Sequence, residues 1–118
     1  MSSPVVIDLA AIENLRALNP GDQDEFLREI TGIFLEDTPK RIAELEQSLA
    51  AGDTAKFSRA AHSIKGSSAN LGAAALRAVA EQLERQSHTE GLGGVASLLA
   101  GLRAEFSRAE AELRKLIA

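Results

Sequence analysis

From Phe26 to Leu116 the apolar residues recur at intervals of three and four, and no stretch alternates apolar and polar residues as a half-buried strand would. This period confines the chain to an all-α fold. Ala, Leu, Glu and Arg are abundant, aromatics are only 3% and β-branched runs are few, so local propensity agrees with the period.

The interruptions divide the pattern into helices. Asp8 reads as the N-cap of a short helix carrying Leu9, Ile12 and Leu15, which Asn19, Pro20 and Gly21 end. From Asp22 an apolar face of Phe26, Leu27, Ile30, Ile33 and Phe34 leads to Thr38 and Pro39. That pair is either a cap with a first-turn proline or a kink inside a longer helix, and the pattern then runs through Ile42, Leu45 and Leu49 to Gly52. Asp53 caps the next helix, with Phe57, Ala60, Ala61, Ile64, Ser68 and Leu71 on its buried side. After a turn near Gly72, Leu76, Val79, Ala80 and Leu83 mark a helix to about Ser87, a glycine loop follows at Gly91, Gly93 and Gly94, and the last helix runs from Val95 to Leu116. The expectation is an antiparallel four-helix bundle with a short extra N-terminal helix, one domain over 1–118 with its core bundle at about 22–118.

Several function classes drop out. The net charge is −4 and Lys and Arg are scattered along the chain, which argues against nucleic acid or an anionic membrane as partner. Without cysteine there is neither a disulfide framework nor a thiolate metal site. No apolar run is long enough to cross a bilayer, and Met1 to Asp8 lacks the pattern of a signal peptide, so a cytoplasmic location is expected. The starting Met and the length suit a free-standing protein.

The chemistry concentrates at His62. On a helical wheel it lies roughly 150° from the centre of the apolar face, beside Arg59 and Gly66, so its ring faces solvent. Gly66, one turn on, costs its helix ~1 kcal/mol relative to Ala and needs a reason; open access to the imidazole is one. Lys65 is placed to support negative charge near His62. A nucleophile, a cation and open access are the minimum set for phosphoryl transfer.

The run His62-Ser63-Ile64-Lys65-Gly66-Ser67-Ser68-Ala69-Asn70-Leu71-Gly72-Ala73 resembles the signature of histidine phosphotransfer (HPt) domains. Phe34 to Pro39 is similar to part of that family's preceding helix, and Gln82-Leu83-Glu84 to part of its following one. The resemblance implies that His62 is phosphorylated, that Lys65 supports charge and that Gly66 gives steric access. It also implies a residue on the next helix that hydrogen-bonds the unphosphorylated ring nitrogen. With the hairpin centred near Gly72 and Ala73, residues whose numbers sum to about 146 lie level with one another. That points to Glu84, with Gln82 as the alternative after a small register shift.

The family further implies a monomeric carrier without a nucleotide site, exchanging phosphoryl groups with response-regulator receiver domains and a (hybrid) histidine kinase. The dimerisation helices of histidine kinases usually place an acid directly after the histidine, whereas Ser63 follows His62. Arg59 and Leu35 are docking candidates, Leu35 because it falls opposite the apolar face of its helix. Ser67 and Ser68 read as small packing residues, Gly72 as a turn residue and His88 as a residue near a helix C-terminus. The two histidines lie far apart without acids at ligand spacing, so no metal and no cofactor are expected.

Overall fold

The computed structural model describes residues 4–118; Met1 to Ser3, the start of the N-terminal stretch read above, lie outside the described residues. Five helices follow in order: α1 (Leu9–Leu18), α2 (Glu25–Ala51), α3 (Thr54–Asn70), α4 (Ala74–Thr89) and α5 (Ala96–Leu116). The described residues contain no strand. None of the helices is long and apolar enough to cross a membrane. Helices α2 to α5 form the antiparallel bundle, α3 lying against α2 on one side and α4 on the other, and α5 closing over α4 and α2.

Local chemistry sets the boundaries. Asp8 accepts the Ala10 N–H and Asp53 the Lys56 N–H, each satisfying an amide that the first helical turn leaves open. Asp22 does the same for α2 from outside the helix, its carboxylate accepting from the N–H groups of Asp24 and Phe26. Gly52 closes α2 at φ 70°, a conformation that favours glycine. The core is one cluster in which Leu27, Phe34, Leu45, Phe57, Ile64 and Leu83 are all buried. Each such side chain contributes roughly 1.5–3 kcal/mol by leaving water. Phe34 and Phe106 meet as tilted rings with centroids 5.9 Å apart, joining α2 to α5.

Two details of α2 differ from the expected pattern. The helix continues through Pro39, which sits exposed, so Thr38 and Pro39 lie inside one long helix and do not cap a new one. The buried face is also rotated. It runs through Leu27, Thr31, Phe34, Thr38, Ile42 and Leu45, because two threonines occupy core positions. The rotation turns Ile33 outward, to 61% exposure, and brings Leu35 half-buried against the core. Leu35 therefore does not lie opposite the apolar face.

The N-terminal segment straps over the α3–α4 turn. The Asp8 N–H donates to the Gly72 carbonyl at 2.7 Å and the Ala75 N–H to the Val5 carbonyl at 2.9 Å. Gly72 has φ +69°, and a Cβ there would lie 2.7 Å from the Ala11 Cβ and 2.9 Å from the Asp8 carbonyl oxygen. Gly72→Ala combines left-handed strain with a collision against backbone, and is expected to destabilise the domain by about 2–4 kcal/mol. Urea denaturation measures this directly; an unchanged midpoint would mean that the strap yields freely.

Candidate functional site

Helices α3 and α4 run antiparallel, and the turn at Leu71 to Ala73 sets their register. His62 on α3 and Glu84 on α4 consequently lie level across the interface. His62 Nδ1–H donates to Glu84 Oε2 at 2.8 Å. A carboxylate only accepts, so the bond fixes the proton on Nδ1 and leaves the Nε2 lone pair free. The His62 side chain is 66% exposed and that of Glu84 17%, so a half-buried anchor holds an exposed ring. Gln82 lies on another side of α4, lining a groove with Ser97 and Leu98 of α5, and has no bond to His62.

Lys65 lies one turn along α3 from His62, with its Nζ 2.6 Å from the other Glu84 oxygen. One carboxylate thus bridges the imidazole and the ammonium group. Burial pushes the Glu84 carboxyl up, but hydrogen bonds from Lys65 and His62, with their charges, outweigh it and hold it below the usual carboxylate range. Because the folded value is depressed, the stabilisation is complete above the unfolded-state value and disappears as pH falls through the folded one. Glu84→Gln should therefore cost less than about 1 kcal/mol near neutrality, where the partly exposed pair is screened, and nothing in strong acid. Stability of both proteins measured from neutral to acid pH checks this; a constant difference would contradict it.

Gly66 is exposed, and a Cβ added there would meet nothing within 4 Å. The fold itself has no need of a glycine at that position. The second histidine, His88, lies in the last turn of α4, where its Nε2 shares a 2.8 Å hydrogen bond with the Ser58 hydroxyl of α3. The two imidazoles are thus engaged through different nitrogens. His62 keeps the outer Nε2 free, whereas His88 has that atom occupied. Among the described residues no group of three His, Asp or Glu side chains gathers as a metal set.

The site therefore presents an exposed imidazole whose lone pair is directed outward by a carboxylate, beside a lysine and a glycine that packing does not require. Comparison with known proteins agrees: the family model of the Hpt domain matches residues 29–112. The chain belongs to the Hpt family. Among curated proteins, the Multistep phosphorelay regulator 1 of Schizosaccharomyces pombe is 32% identical over 93 residues. That match takes in 79% of this chain and 32% of the regulator, so the chain spans about a third of its length. Among solved structures, the histidine-containing phosphotransfer protein B (HptB) of Pseudomonas aeruginosa PAO1 superposes with a TM-score of 0.86 at 26% identity, covering 98% of this chain and 96% of that one. MtHPt2 of Medicago truncatula gives 0.82 at 25% identity, covering 94% and 76%.

Around the imidazole the Hpt domain carries two surfaces. Arg59 is exposed and lies with Lys56 and Ser63 beside Arg41, which pairs with Asp37 and Glu44, a charged cluster assembled from α2 and α3. Scattered positions in sequence concealed it; the three-residue spacing of Lys56 and Arg59 on α3 is its only trace. Beyond Gly66, Ser67 and Asn70 border an open apolar groove of about 400 Å³ lined by Phe26, Ile30 and Ile33 of α2 and Leu15 of α1. These three α2 residues were expected on the buried face; the rotation of α2 leaves Ile33 exposed and Phe26 and Ile30 half-buried along this groove.

Proposed function

We propose that this domain carries a phosphoryl group on Nε2 of His62 and relays it to and from receiver-domain aspartates. The observation that carries this reading is the 2.8 Å bond from Nδ1–H to Glu84, which leaves Nε2 as the exposed nucleophile. In the accepting step the Nε2 lone pair attacks the phosphorus of a receiver's aspartyl phosphate. The N–P bond forms as the P–O bond to the aspartate breaks, and the aspartate leaves as a carboxylate. The positive charge that develops on the ring is stabilised by Glu84 through the Nδ1–H bond. Lys65 adds positive charge at the edge of the site, and its ion pair with Glu84 tempers that carboxylate. The receiver brings its own magnesium and acidic pocket, so this chain acts as a carrier with no nucleotide site or cofactor of its own.

Docking follows from the surroundings of His62. The cluster of Arg41, Lys56 and Arg59 suits the acidic rim of a receiver, while Ile33 and its groove offer apolar area on the other side of Gly66. We assign partner roles to receiver domains and a hybrid histidine kinase, with the domain acting as a cytoplasmic monomer. A gel-filtration mass separates this from a dimeric kinase helix pair. The decisive experiment incubates the protein with a panel of phosphorylated receivers and follows acid-labile label. Label should transfer from at least one receiver and map to the peptide containing His62; none from any receiver, or label on His88, would overturn the reading.

A further inference from the structure

The outer edge of the α3–α4 interface lacks apolar packing. Ala55, Ser58, Arg59, His62 and Ser63 of α3 face Glu84 and His88 of α4 across an open groove of about 510 Å³. The buried core beneath sets the spacing of the two helices, but no large apolar side chain fills this outer space, so polar contacts define the edge itself. Beside the Lys65–Glu84 ion pair there are two, each 2.8 Å long: His62 to Glu84, and Ser58 to His88. Ser58 precedes His62 by one turn of α3, and His88 follows Glu84 by one turn of α4. In an antiparallel pair those offsets make the two bonds adjacent rungs of one ladder. The second rung also lies in the last turn of α4, just before the Glu90–Gly94 connection, where a helix frays most readily.

We propose that Ser58 and His88 are positioning residues for His62, acting through Glu84. Their bond ties the end of α4 to α3 and so holds the Glu84 carboxylate where Nδ1–H can reach it. The ring of His62 is mostly exposed and has no other orienting partner, so a small displacement of Glu84 releases it. A misplacement of about 1 Å in such a relay suffices to slow chemistry severely. The inference rests on His62 as the phosphoryl acceptor, but the ring's orientation is measurable without any phosphoryl donor.

The test uses the whole chain and its Ser58→Ala, His88→Ala and His88→Gln variants, alone and combined with Glu84→Ala. Nitrogen-15 NMR of the His62 ring reports the tautomer, and transfer from a phosphorylated receiver reports the chemistry. Ser58→Ala and His88→Ala should each shift the ring signals away from the Nδ1–H tautomer and slow transfer roughly fivefold. His88→Gln should restore both, since an amide can bond the Ser58 hydroxyl. In the Glu84→Ala background neither substitution should have any further effect. Unchanged ring signals in both single variants, or equal effects with and without Glu84, would overturn the proposal. If the ring signals respond as expected while no receiver labels any form, the positioning role stands and the phosphotransfer reading falls.

Discussion

His62→Gln is expected to accept no phosphoryl group from any receiver while keeping the stability of the parent within about 0.5 kcal/mol. Both halves follow from the same geometry. The ring is mostly outside the core, so little packing is lost, and the glutamine amide can still donate a hydrogen bond toward Glu84. The amide nitrogen, however, has its lone pair delocalised into the carbonyl and cannot attack phosphorus. The other imidazole, His88, has its Nε2 engaged by Ser58. Radiolabel transfer with equal receiver loads, alongside urea denaturation, measures the two halves independently. Residual labelling above a few per cent would place the acceptor elsewhere; a large drop in stability would show that the ring packs more than its exposure implies.

The legible part of this site lay within one helix pair. His62 stands out because the apolar series of Phe57, Ala61 and Ile64 fixes the core direction of α3, and a wheel then carries the ring to solvent. Glu84 was locatable for a related reason, since one turn centred on Gly72 sets the register of every pair across α3 and α4. The same rule places His88 opposite Ser58, but neither residue type announces a partnership without the other. What stayed hidden depended on contacts between distant segments. Thr31 and Thr38 hold core positions in α2, so a hydrophobicity pattern centred the buried face on Phe26, Ile30 and Ile33 and left Leu35 outside. The demand for glycine at position 72 likewise comes from the N-terminal segment, whose path across the α3–α4 turn no local pattern encodes.

Gly66 presents the opposite case, a glycine that the fold does not require and that function is expected to explain. A Cβ there meets open space, and the position is inside α3 rather than at an end. Gly66→Ala should therefore raise stability by about 0.5–1 kcal/mol through helix propensity alone. The methyl group is short, and transfer should slow only slightly. Gly66→Leu gains most of the same stability, but its side chain has a definite direction. Helical side chains lean toward the N-terminus and cover the turn that precedes them, which here is the turn bearing His62. Attack requires phosphorus to come within about 3–3.5 Å of Nε2 in line with the lone pair, together with the receiver loop that carries it. A leucine over that approach should reduce the transfer rate about 100-fold while the ring keeps its bond to Glu84. The opposed signs separate access from damage, because a variant that is more stable and yet slower has not lost its fold. Transfer by Gly66→Leu at the parent rate would show that receivers reach Nε2 from the His88 side of the groove instead.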